Sequence, residues 1–303
     1  MKKTNNHIFL IILLSILSSV APMGVDTYLP SIPQIADDFS VSIEKIELSL
    51  TIFLIGFTIG QIFGGPISDR FGRRKSSIFG LLGFAVFSFV IIFASTVYEL
   101  WAYRFLEAFF GGIVFVNAAA SIRDRFHGKE AAKVFSLMGV VRSTAPLVAP
   151  FIGAFIIHFF PWQGVFIFLT IYALVVAFFV YKKLDESFTY RKQSVFNSFK
   201  IVLSNFEAVK IMLVLGLGFG GFFLLISKSS FIYIEYFDIS TDYFPFFFGI
   251  NFLAIMALTR LNIKLVKHFQ TINIVKFALL MQITAGVLFM INHDHISLVT
   301  IVI

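Results

Sequence analysis

The sequence predicts an all-α membrane protein of two pseudo-symmetric six-helix bundles, the second incomplete, with about nine or ten spanning helices in all. Three observations predict it. First, 58% of the 303 residues are hydrophobic and only 14% are charged, with a mean hydropathy of +0.90. A soluble domain carries about 25% charged residues, and no water-soluble fold could cover this much apolar surface. Second, apolar runs of spanning length recur along the whole chain. Third, the longest polar stretch, "KKLDESFTYRKQSVFNSFK" at 182–200, follows the sixth run, where a linker between two bundles would fall.

A helix needs about 20 apolar residues to cross a bilayer, and lipid obliges each such segment to satisfy its own backbone hydrogen bonds. Runs of this kind lie at 8–33, 44–67, 76–97, 99–121, 133–158, 162–181, 208–227, 243–261 and 273–291, and a tenth opens at Ile296. They divide the chain into a six-helix bundle at 1–181, a cytoplasmic linker at 182–207 and a partial bundle at 208–303. The chain stops early in its tenth run, so about ninety residues of a twelve-helix protein would be unaccounted for. The opening "MKKTNNHIFLIILLSILSSVAPMG" has the make-up of a signal peptide. Apolar character resumes after Asp26, however, and an uncleaved first helix is the simpler reading.

Charge fixes the expected orientation. With the N-terminus cytoplasmic, the inner side collects Lys2, Lys3, the 70–75 cluster, Arg123, Arg125, Lys129, Lys182, Lys183 and the linker cations. The outer side keeps only Lys45 and Lys228. This positive-inside bias accounts for most of the net charge of +7 without any nucleic acid. The expected location is the inner (plasma) membrane, multi-pass. No cysteine is present, which excludes disulfides and thiol-bound metals.

Between the second and third runs lies "GGPISDRFGRRKSS", Gly64–Ser77. A topogenic loop accounts for its arginines but not for its aspartate or its glycines. The pattern on Gly65, Asp69, Arg70, Gly72, Arg73, Arg74 and Lys75 resembles the inner-loop signature of the major facilitator superfamily. Further stretches are similar to the bicyclomycin-resistance (Bcr/CflA-type) drug:proton antiporters: "DTYLPSIPQIADDF" (26–39), "RFLEAFFGG" (104–112), "SIRDRFHGKEAAKVFSLM" (121–138), "APLVAPFIGAFIIHFFPWQGVF" (145–166), "LSNFEAVKI" (203–211) and "SSFIYIEYFDIS" (229–240). The resemblance implies an inner gate. Gly65 would let the second helix approach a neighbour, and Gly72 would allow a tight turn. Asp69 would face a helix N-terminus, and Arg74 would fork onto a carboxylate. Asp124 would be a partner for the loop's arginines. The fifth-helix antiporter signature survives as Pro150 and Gly153, with Pro146 one turn earlier. Ala149 and Ala154 stand where two of its glycines would be, which keeps the site small enough for close packing. In the fourth helix the signature arginine is Arg104, with Glu107-Ala108 in place of the usual glutamine-glycine.

Ionisable groups inside a bilayer are costly and therefore functional suspects. Asp26, in the outer part of the first helix, is either a helix-end acid touching water or a proton carrier. The resemblance favours the second, with Arg104 as its counter-charge. Glu107, three residues past Arg104, shares its face and would compete for it. Arg142, near mid-membrane, either lines the central cavity and meets anionic groups or pairs with an acid of a neighbouring helix. "GLGFGG" (216–221) fits a dinucleotide-binding pattern, but it lies inside an apolar run with no preceding strand, and close helix packing accounts for it. "NHDH" (292–295) offers too few ligands for a metal. The expected function is proton-coupled efflux of small hydrophobic drugs or toxic compounds, by a monomer that uses the proton gradient and no cofactor. The alternatives are a metabolite or amino-acid-derived efflux carrier of the same fold, or a non-transporting truncated remnant. A membrane enzyme would need a clustered catalytic set, and the six histidines are scattered.

Overall fold

The computed structural model describes residues 2–186, 202–265 and 268–291; within them every regular element is helical. The tenth run, "NHDH" and most of the linker lie outside the described residues. Ten helices are used below: α1 Lys2–Asp26, α2 Ile32–Phe39, α3 Ile43–Phe71, α4 Arg73–Ile91, α5 Val97–Arg125, α6 Gly128–Phe159, α7 Gln163–Lys183, α8 Phe206–Ser230, α9 Phe244–Leu265 and α10 Thr271–Ile291. A 3-10 turn, Leu29–Ser31, joins α1 to α2, and a π-helical segment, Phe231–Tyr236, follows α8. Among the described residues, eight segments are long and apolar enough to cross a membrane, the first being Ile8–Phe39, and a shorter apolar helix covers Ile272–Val287.

The first span is not one straight helix. Its α-helix ends at Asp26 because Pro30, four residues on, has no N–H to bond the Asp26 carbonyl. Pro33 withholds the next such bond from Leu29. The chain turns through Leu29–Ser31 and resumes as α2, so Asp26 sits at a break inside the span rather than along a regular helix. Between α3 and α4 the expected loop shrinks to one residue. Gly72 has φ +94°, a conformation open to glycine, and its N–H still caps the Ser68 carbonyl at 3.0 Å. Asp69 and Arg70 therefore belong to the last turn of α3, and Arg73 and Arg74 to the first turn of α4.

Helices α1 and α3–α7 form one bundle. Its tightest contact is α3 against α5, where glycines at a spacing of four face the neighbouring backbone. A Cβ on Gly56 would collide with the Phe105 carbonyl, one on Gly60 with the Phe109 carbonyl, and one on Gly64 would stand 2.9 Å from the Ile113 Cα. With no hydrophobic effect between helices in lipid, close backbone approach at small residues is what holds such a pair. These three glycines lie on the stripe that faces α5; among the described residues nothing lies within 4 Å of where a Gly65 Cβ would be. Likewise, in "GLGFGG" only Gly221 is closely approached, by the Gln282 side chain, while Gly216, Gly218 and Gly220 face open space among the described residues.

Gly60→Ala should therefore destabilise the bundle by about 1–3 kcal/mol, since the obstructing atom is backbone and cannot rotate away. Gly65→Ala should be neutral or slightly stabilising. Thermal unfolding of the detergent-solubilised variants checks both; equal losses at the two positions would contradict the packing described.

Candidate functional site

Arg104 is wholly buried near the start of α5. Its Nη1 donates to the Glu107 Oε2 at 2.7 Å and to the Gly24 carbonyl at 3.1 Å. Its Nε and Nη2 have no hydrogen-bond partner. The faces of the guanidinium lie instead against aromatic rings: Phe53 at 4.3 Å, Tyr28 at 4.5 Å and Phe166 at 5.8 Å. Glu107, also 0% exposed, uses its other oxygen to accept from the Ser88 hydroxyl at 2.7 Å. One ion pair thus ties α1, α3, α4, α5 and α7 together. Asp26 lies two residues past the carbonyl that Arg104 holds and is 3% exposed. Among the described residues its carboxyl makes no hydrogen bond or ion pair, and the partner of Arg104 is Glu107, not Asp26.

At the basic end of the bundle, Arg73 joins both candidate acids. It pairs with Asp69 at 2.6 Å and with Asp124 at 2.7 Å, and also donates to the Ser68 hydroxyl. The carboxylate contact expected of Arg74 is made by its neighbour, which bridges two carboxylates with one bond to each, because a single-residue turn brings Arg73, not Arg74, over the end of α5. Arg74 donates to the Tyr181 carbonyl at 2.5 Å and lies over the Tyr181 ring. Its backbone N–H donates to Glu186, whose carboxylate lies where a Gly72 Cβ would be. Arg125 donates to the Asp185 carbonyl. The start of the linker is thereby fastened to the signature residues. Among the described residues, Arg70 reaches the neighbouring Phe71 ring.

The opposite end carries a feature that sequence reading missed. Glu47, in the second turn of α3, is 3% exposed, and its Oε2 accepts from the Lys228 Nζ of α8 at 2.6 Å. Beside it, the Ser230 hydroxyl donates to the Leu29 carbonyl at 2.8 Å. His158 at the end of α6 meets Asp242 ahead of α9 at 3.1 Å. Among the described residues, every hydrogen bond and ion pair between the first bundle and the helices from α8 onward lies at this end. The only signal in the sequence was that Lys228 is one of two cations on its side, which does not name a partner 181 residues away.

In α6, Pro146 and Pro150 lie inside the helix, and Gly153 lets it approach the break in the first span. A Cβ there would strike the Thr27 carbonyl and the Pro30 ring. Arg142 is exposed, with its guanidinium 4.4 Å from the Phe115 ring centre.

A helical bundle joined at one end to further spans, with a buried ion pair, an unpaired acid at a helix break and a charged turn at the other end, has the build of a multi-pass membrane transporter. The chain belongs to the major facilitator superfamily, whose family model matches residues 14–302. It is 32% identical over 294 residues to the bicyclomycin resistance protein homolog of Haemophilus influenzae, covering 94% of this chain and 73% of that protein. It is 36% identical over 253 residues to an uncharacterized MFS-type transporter, YdgK, of Bacillus subtilis, covering 81% of this chain and 63% of the relative. It is also 33% identical over 155 residues to the multidrug resistance protein MdtL of Escherichia coli O157:H7, covering 40% of that protein. Among solved structures it is similar to a D-xylose–proton symporter, with a TM-score of 0.69 at 21% identity, over 97% of this chain and 78% of that one. That likeness establishes the fold.

Removing Glu107 would leave a buried cation without its charge partner. Glu107→Gln should cost about 3–5 kcal/mol, and the double variant with Arg104→Met should recover most of it. A double-mutant cycle on unfolding in detergent measures the coupling; additive losses would mean that the pair does not act as a unit.

Proposed function

We propose that this protein is a proton-coupled exporter of small hydrophobic toxic compounds across the plasma membrane, with its basic end toward the cytoplasm. The observation that carries this reading is the division of labour between two buried acids. Glu107 has both oxygens engaged and its charge matched by Arg104, so it serves as a fixed structural ion. Asp26 has no such partner and sits where the first span breaks, so it is the acid suited to load and release a proton. The drug-resistance names of two of the relatives support the substrate class, and the charge bias of the loops supports the orientation. Energy comes from the proton gradient without a cofactor, and the working unit is a monomer.

On this reading the structure is the state closed to the outside, held by Glu47–Lys228 and Ser230–Leu29 and open toward the cytoplasm. Opening outward requires that latch to part while the Arg73–Asp69–Asp124 cluster and its neighbours close the other end. Substrate and proton then occupy the cavity alternately as the halves rock.

Asp26→Asn should abolish uncoupler-sensitive substrate uptake into everted vesicles, where export from the cell reads as accumulation, while leaving insertion and yield unchanged; wild-type uptake with this variant would sink the coupling role. Lys228→Met should weaken the outer closure. Because the chain has no cysteine, a Ser229→Cys reporter is clean, and its labelling by an impermeant maleimide from outside should rise several-fold in Lys228→Met. Unchanged labelling would show that the ion pair does not hold the halves.

A further inference from the structure

We propose that Arg142, with Phe115 and Phe57, forms the point in the central cavity that recognises the anionic group of an aromatic acid. The proposal deepens the transport reading above and rests on it for the role of the cavity.

Arg142 lies well inside the span Val134–Phe159, far from the polar ends where an arginine is cheap. Helix α1 packs against both α5 and α6, which also touch each other, so Arg142 on α6 and the Phe115 ring on α5 belong to two helices that α1 flanks. Helices α4 and α7 pack on each other, on α5 and on α1, and so cover one side of this group. The side left to Arg142 faces the second half. Leu147, at the middle of the same span, comes within 3.9 Å of the place a Gly249 Cβ would take, and Arg142 lies toward the basic end from there. On the proposal, its exposed side faces the space between the halves.

The chemistry follows from a comparison within the molecule. A row of rings connects the two membrane-embedded arginines. Arg104 lies 4.3 Å from Phe53, Phe53 stacks with Phe57 at 6.5 Å, Phe57 meets Phe115 edge-on at 5.2 Å, and Phe115 lies 4.4 Å from Arg142. Burial falls along the row: Phe53 is core, Phe57 and Phe115 are half-buried, and Arg142 is exposed. At the buried end the cation is matched by Glu107. At the open end no acid among the described residues comes within ion-pairing distance of Arg142, and the Phe115 ring is its contact. A guanidinium presents a planar fork that suits a carboxylate or sulfonate, and the half-buried rings beside it suit an aromatic body. A ligand carrying both groups would complete at Arg142 the arrangement that Glu107 completes at Arg104.

The test uses the purified 303-residue chain in nanodiscs and two isosteric probes, 2-naphthoate and the neutral 2-naphthamide, each radiolabelled. Naphthoate should bind about tenfold tighter than naphthamide. Arg142→Gln should bring the ratio near one by weakening naphthoate alone, and Arg142→Lys should keep part of the preference. Phe115→Ala should weaken both probes together. The neutral probe reports on folding of the Arg142 variants, and thermal unfolding in detergent reports on that of Phe115→Ala. Equal binding of the two probes by the wild type, or a ratio that survives Arg142→Gln, would overturn the proposal. The transport reading fails separately: a full naphthoate preference with no uncoupler-sensitive export would contradict that reading and leave the anion site standing.

Discussion

A guanidinium with no access to water sets the terms for the first bundle. Arg104 can be buried only because Glu107 neutralises it, the Gly24 carbonyl accepts one of its protons and the rings of Phe53, Tyr28 and Phe166 surround it. Each partner comes from a different part of the bundle, so their relative positions are fixed together. The ion pair is weak evidence for stability as such, since an apolar core of the same shape can be as stable. Its consequence is positional. It holds the end of α1 against α5 and thereby sets where Asp26, two residues on, is buried.

Close packing then makes this half a rigid body. The glycines of α3 let two backbones meet along α5, and Gly153 brings α6 onto the break in the first span. By contrast, among the described residues the polar ties between the two halves all lie at one end: a half-exposed lysine on a buried carboxylate, a serine on a carbonyl, and an exposed histidine–aspartate pair, with apolar packing of α9 on α6, Phe246 against Phe151, beside them. A stiff unit whose polar ties to its neighbour lie at one end is suited to rock rather than to deform. At the basic end, Arg73 and Arg74 bind the end of α5 and the start of the linker, so the charged turn fastens the bundle where the second half begins.

Much of this was legible in the sequence. Apolar runs of spanning length gave the helices, because lipid permits no other backbone, and the spacing of Arg104 and Glu107 placed them on one face. The signature aspartate, Asp69, and Asp124 do meet at one arginine, although that arginine is Arg73 and not Arg74, since a one-residue turn at Gly72 rotates the basic side chains relative to a longer loop. The close approach to α5 falls on Gly56, Gly60 and Gly64 because helix phase decides which stripe faces α5, while no described residue meets Gly65. The break at Asp26 was encoded in Pro30, whose missing N–H acts four residues upstream. The Glu47–Lys228 latch was beyond reach: it joins distant helices, and no local periodicity reports which faces of two bundles will meet.

Two rigid halves that exchange closure, as the proposed transport cycle requires, must move their two ends in opposite senses. Spin labels on the cysteine-free chain test this with two pairs, each joining α5 to α9 or to the residue just ahead of it. Tyr98→Cys with Tyr243→Cys reports the end held by the latch, and Arg123→Cys with Lys264→Cys reports the basic end. Pulsed electron–electron distance measurements in nanodiscs, before and after acidification, should show the first distance lengthening while the second shortens. If both distances stay fixed, or if both change in the same sense, the halves do not rock about a central site and the account is wrong.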